Sequence, residues 1–149
     1  MKLEQAIKSK AITNSKERAI LNIFFTNNWL QANMQAYFKK YDLTIQQYNA
    51  LRIIRGQLPQ PATVAIIKER MMDKMSDASR ITDRLEKLGF VTRVVCKDDK
   101  RRVHIHLTQK GVELMNKMDQ TIVETQDLMK KLNEEELASL NIILDKIRF

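Results

Sequence analysis

A single cysteine, Cys96, stands in 149 residues. No intramolecular disulfide can form, which suits a reducing compartment. Three glycines and two prolines are few for this length. Sheets need many turns, and turns consume those residues, so the scarcity argues for long helices over an all-β architecture. No apolar run approaches the ~20 residues of a membrane span. The basic start MKLEQAIKSKAIT is not followed by the apolar stretch of a signal peptide. A soluble, cytoplasmic protein with no membrane association is the expectation. There is no glycine-rich phosphate loop, no metal-ligand cluster and no nucleophile–base pair. Neither an enzyme, a cofactor nor a metal is therefore expected. Asp98 and Asp99 do not make an acid–base pair, because they fall in a basic exposed turn where nothing excludes water.

Acidic residues are also in deficit. Twenty-six Lys and Arg face 18 Asp and Glu, for a net charge of +8 and a pI near 9.7. Such a balance suits a polyanionic partner. The excess is uneven: residues 1–61 carry 9 basic and 3 acidic side chains, 62–110 carry 12 and 7, and 111–149 carry 5 and 8. The positive field thus lies on the first two thirds of the chain.

What is present is helical periodicity. From Asn14 to about Tyr41, Leu21, Phe24, Phe25, Trp29, Leu30, Tyr37 and Phe38 recur at helical spacing, with Asn14 and Glu17 as a capping box. Thr44 and Gln47 form a second box before a helix that stops at Gly56. A shorter helix starts at Thr63. Ser76 is read as the cap of the next, which Gly89 ends. The period then changes to two: Phe90–Cys96 and Val103–Leu107 read as strands around the charged loop KDDKRR, a β-hairpin. Thr108 caps a helix to about Leu132, whose positions Met115, Met118, Ile122, Thr125, Met129 and Leu132 make a narrow packing seam. Asn133 and Glu136 box the last helix, with Leu137, Leu140, Leu144 and Ile147 on one face.

The order helix, helix, hairpin over 63–108 points to a helix-turn-helix with a wing. The major groove admits one helix, which must be apolar on one side and hydrogen-bonding on the other. Ala78, Ile81, Leu85 and Leu88 supply the apolar side. Asp77, Ser79, Arg80, Asp83, Arg84 and Lys87 occupy the rest. Ser76, Ser79 and Arg80 stand near the N-terminal end, which faces base edges in such motifs. Arg80 and Arg84 are one turn apart, suited to one guanine contact and one phosphate contact. In the loop, Lys100, Arg101 and Arg102 are placed for phosphate and the minor groove, with Arg101 or Arg102 as the tip. Asp98 and Asp99 are read as intramolecular partners of a neighbouring arginine that aim the wing. The competing class is a winged-helix protein-interaction module without operator recognition; steep loss of duplex affinity with salt separates the two. Cys96 is read as a quiet small side chain, with activation beside Lys97 as its alternative. His104 and His106 lack a third ligand for a metal.

The segment DDKRRVHIHLTQKG, with Asp99, Arg101, Leu107 and Thr108, resembles the wing signature of the MarR family: Asp-x-Arg, five residues, then Leu-Thr. SRITDRLEKLGFVTR from Ser79 resembles that family's recognition helix and first wing strand, and LTIQQYNALRII from Leu43 its second helix. The resemblance implies a mainly α fold with a small β-hairpin wing, a winged helix-turn-helix flanked by N- and C-terminal dimerisation helices. It implies one subunit over 1–149, with 1–42 and 111–149 for dimerisation and 43–110 for double-stranded DNA. It further implies a homodimeric repressor on a pseudo-palindromic operator. Arg101 becomes the minor-groove arginine and Asp99 its organising partner. Ser76, Asp77, Ser79, Arg80 and Arg84 become the major-groove set, with Asp77 and Ala78 where the family often has Thr and Val. A small aromatic or anionic effector is implied between the dimerisation helices and the DNA-binding lobe, where Trp29, Tyr48 and Arg52 are the candidates.

Overall fold

Side-chain oxygens start most of the helices. In the computed structural model, helix α1 spans Leu3–Ala6 and α2 spans Ser15–Lys39. They are followed by α3 (Ile45–Arg55), α4 (Val64–Arg70) and α5 (Ala78–Lys87). Strands β1 (Val91–Val95) and β2 (Val103–Leu107) lead to α6 (Gln109–Gln126) and α7 (Glu134–Arg148). The structure describes every residue except 1, 11 and 97–102, and no side chain at 120–122. Asp98, Asp99, Lys100, Arg101 and Arg102 therefore lie outside the described residues. Among the described residues, no helix is long and apolar enough to cross a membrane.

Asn14 accepts from the amides of Lys16 and Glu17, which start α2. Thr44 and Gln47 close a reciprocal capping box on α3, as do Asn133 and Glu136 on α7. Thr63 and Thr108 each accept from the amide three residues on. The cap of α5 corrects the sequence reading. Asp77, not Ser76, accepts from the Arg80 amide at 3.0 Å. Ser76 donates its hydroxyl to Asp73 instead.

Two further differences are physical. The seam after Thr108 was expected to stay α-helical to about Leu132. Hydrogen bonding tightens to the three-residue pattern at Asp127–Met129, and a turn then leads to the Asn133 cap. Ala62, which carries no periodic signal in the sequence, exchanges both backbone hydrogen bonds with Ile105, at 3.1 and 2.8 Å. It adds a one-residue bridge on the free edge of β2.

The chain divides into two units, 1–43 and 44–149. In the first, Gln35 holds the Leu43 carbonyl and Glu4 pairs with Arg18 at 2.6 Å. In the second, α3, α4, α5, β2 and α6 contribute the buried side chains Leu51, Ile54, Ile67, Leu85, Ile105, Met115 and Met118, and Met71 just after α4 joins them. The hairpin is antiparallel, with Val91 opposite Leu107 and Arg93 opposite Ile105. Alternation along the pleat puts Val91, Arg93 and Ile105 on one face, and Thr92, His104 and His106 on the other. Val91 and Ile105 are buried, so the first face is the inner one.

Candidate nucleic-acid interface

Helix α5 is held at both ends. Asp77 caps its start. At its end Gly89 takes a left-handed φ of 77°. The Gly89 amide bonds to the Glu86 carbonyl and the Phe90 amide to that of Leu85, the paired bonds of a Schellman motif. A glycine fits there because a side chain at that φ is strained. Two groups from the start of α6 complete the lock. The Thr108 hydroxyl donates to the Gly89 carbonyl at 2.7 Å, and the Lys110 ammonium to the Leu88 carbonyl at 2.8 Å. Lys110 also lies 4.8 Å from the centre of the Phe90 ring, so a cation sits at the negative end of the helix.

Between those ends the helix has three faces. Ala78, Thr82 and Leu85 are buried. Ser79, Asp83 and Glu86 border the hairpin. Arg80, Arg84 and Lys87 are exposed and line an open concavity of about 700 Å³. Its opposite rim is Thr44, Gln46 and Gln47 at the start of α3. Asp73, Ser76, Asp77 and Asp83 also line it, so the basic row stands among carboxylates. Each of those carboxylates has an internal donor. Asp73 accepts from the Met75 amide and the Ser76 hydroxyl. Asp77 holds the helix start. Asp83 lies 2.5 Å from the Arg93 guanidinium. Arg80, Arg84 and Lys87 form no ion pair among the described residues. The concavity thus holds three cations free of ion pairs among its described residues, beside three carboxylates that are engaged by internal donors; the free cations suit a phosphate backbone.

Of the major-groove candidates, Ser76, Asp77, Arg80 and Arg84 share this concavity. Ser79 is exposed beside it, and its carbonyl accepts from Arg93 at 3.2 Å. The effector candidates are distributed differently. Trp29 belongs to the first unit and is exposed. Tyr48 and Arg52 share α3 one turn apart; Tyr48 is buried and Arg52 exposed. Burial pushes the Tyr48 phenol above its ordinary value, against the smaller pull of Arg52 and Arg55. Cys96 is half-buried at the end of β1. His104 and His106 stand edge to face, with ring centres 6.4 Å apart.

Arg93 was not picked out from the sequence. Its partners Ser79, Thr82, Asp83 and Glu86 lie 7 to 14 residues away on another element. No local pattern announces such a set, although an arginine at an inward strand position was itself a signal.

These elements define the class: a winged helix-turn-helix protein, with α4 and α5 as the helix pair and β1–β2 as the wing stem. Residues 43–103 match the profile of the MarR family. The regulator PecS of Dickeya dadantii is 30% identical over 112 residues, covering 74% of this chain and 68% of PecS. An uncharacterised helix-turn-helix transcriptional regulator of Bacillus cereus is 31% identical over 127 residues, covering 84% of this chain and 82% of its own. A serine-for-cysteine mutant of Escherichia coli MarR, crystallised with operator DNA, is similar in structure. Its TM-score is 0.77 at 26% identity, covering 93% of this chain and 99% of that one. The chain belongs to the MarR family, a family of transcription regulators and not of enzymes. The expected fold class holds: mainly helical, with a two-stranded hairpin.

Proposed function

We propose that this chain is a sequence-specific regulator that binds double-stranded DNA through α5 and the wing, acting as a homodimeric repressor on a pseudo-palindromic operator. The observation that carries the reading is the exposed row Arg80, Arg84 and Lys87, on a helix anchored at both ends. Arg80 and Arg84 are one turn apart on the outer face, the spacing for one base edge and one phosphate. Operator DNA bound to the Escherichia coli relative supports the same use of the same fold. In the wing, Lys100, Arg101 and Arg102 are assigned to phosphate and the minor groove, and Asp99 to holding Arg101, on the sequence signature alone.

Dimerisation is supported by apolar surface. Helix α7 has no buried residue, and Ile142 and Ile147 are 67% and 61% exposed. On α2, Ile20, Phe24 and Phe25 are exposed. A helix with an exposed apolar face is marginal in water, so a second copy is the natural cover. The regions 1–42 and 111–149 are assigned to that interface, and 43–110 to DNA. A small aromatic or anionic effector bound at Tyr48 and Arg52 completes the reading, with Trp29 a candidate on the sequence resemblance alone. It would act by favouring a lobe spacing that does not fit the operator.

The test is a salt titration of duplex binding. If three to five phosphates are contacted per subunit, log affinity should fall with log salt at a slope of roughly −0.9 per phosphate. A salt-insensitive chain that retains no duplex would instead be a protein-interaction module.

A further inference from the structure

An arginine on the inner face of a two-stranded hairpin must find partners or leave its charge stranded. Arg93 is such a residue, opposite the fully buried Ile105 and only 24% exposed. Every partner it has among the described residues is on α5. One terminal nitrogen lies 2.5 Å from an Asp83 carboxylate oxygen. The other donates to the Thr82 hydroxyl at 2.6 Å and to the Ser79 carbonyl at 3.2 Å. Its Nε is buried without a hydrogen bond, 3.6 Å from a Glu86 carboxylate oxygen. The buried Thr82 hydroxyl is directed by its own bonds to the Ala78 and Ser79 carbonyls, which leaves its lone pairs for Arg93.

Asp83 is half exposed and lines the same concavity as Arg80, Arg84 and Lys87. It is next in sequence to Arg84. A phosphate held by Arg84 would therefore lie within about one Debye length, ~8 Å, of this carboxylate. Left unpaired, Asp83 would repel the ligand that the basic row attracts, and Glu86 would add to it.

We propose that Arg93 is a positioning residue for DNA binding: it masks Asp83 and Glu86 from the phosphate backbone without touching DNA itself. The inference rests on the DNA-binding reading above. It explains how a reading helix with acidic residues among its cations presents a net positive face. It also makes the first wing strand a part of the recognition surface through charge.

The test compares three proteins on one probe, a duplex selected by the wild-type chain from a random pool. They are the wild type, Arg93→Met, and Arg93→Met combined with Asp83→Asn and Glu86→Gln. The single variant is expected to bind roughly tenfold more weakly or worse, because it exposes two carboxylates beside the phosphates. The salt slope should be unchanged, because no phosphate contact is lost. The triple variant should recover most of the affinity. Unchanged binding by Arg93→Met overturns the proposal. So does a slope reduced by about one with no recovery in the triple variant, since that marks Arg93 as a phosphate contact. If circular dichroism shows Arg93→Met unfolded, the triple variant decides: near-wild-type binding supports masking, and weak binding by a folded triple variant overturns it. A wild-type chain that selects no duplex defeats the DNA reading itself, an outcome distinct from failure of the mask.

Discussion

A Cβ placed on Gly111 would lie 2.1 Å from the Phe90 carbonyl oxygen. That oxygen already accepts the Thr108 amide, so it cannot swing aside freely. Gly111 thus lets α6 start hard against the end of α5, where Thr108 and Lys110 complete the lock. Gly111→Ala should cost about 1–3 kcal/mol through overpacking. It should appear as a lower urea midpoint at unchanged slope; an unchanged midpoint would mean that the Phe90 backbone yields. At this scale the sequence was legible wherever a single good cap preceded a helix, as at Thr44, Thr63, Thr108 and Asn133. It was ambiguous where two good caps were adjacent. Ser76 and Asp77 both suit the role; Asp77 accepts the Arg80 amide, while the Ser76 hydroxyl donates to Asp73. Asp77 is thereby a helix cap, its carboxylate engaged by the Arg80 amide.

Elements of the second unit are tied by charge as well as by core packing. Arg55, in the last turn of α3, meets Asp119 of α6 through two hydrogen bonds of 2.9 and 2.8 Å. The Arg55 hydrogen bond holds the Asp119 carboxyl below its ordinary 3.8, and the same bond raises Arg55 further. Arg55 stays charged throughout, so Asp119 sets the pH dependence. Its contribution is complete above the ordinary aspartate value and is lost as pH falls through the lowered one. Both side chains are partly exposed, so the pair is worth under about 1 kcal/mol at neutral pH. Asp119→Asn should leave neutral stability almost unchanged and flatten its acid limb below about pH 4. Superposable acid unfolding curves for the two proteins would contradict this. Helix and strand periods made most elements readable in advance. The Ala62 bridge was not readable, because one residue has no period. The end of α6 was not readable either, because an apolar seam continues across a change from four-residue to three-residue hydrogen bonding.

For the whole molecule, the basic excess and the exposed apolar surface are distributed differently along the chain, the latter at both ends on α2 and α7. The basic excess lies before residue 111, while the acidic C-terminal segment carries exposed isoleucines at 142, 143 and 147. The fold class, the exposed basic row of α5 and the family resemblance were all visible in the residues. The masking of Asp83 was not, because it depends on which strand the hairpin lays against α5. The central claim, a two-fold reader of duplex DNA using α5, is tested most directly by selecting bound duplexes from a random pool. The account predicts a palindromic consensus whose half-sites lie about one helical turn apart. Recovery of a single, asymmetric half-site, or of no enriched sequence, would contradict it.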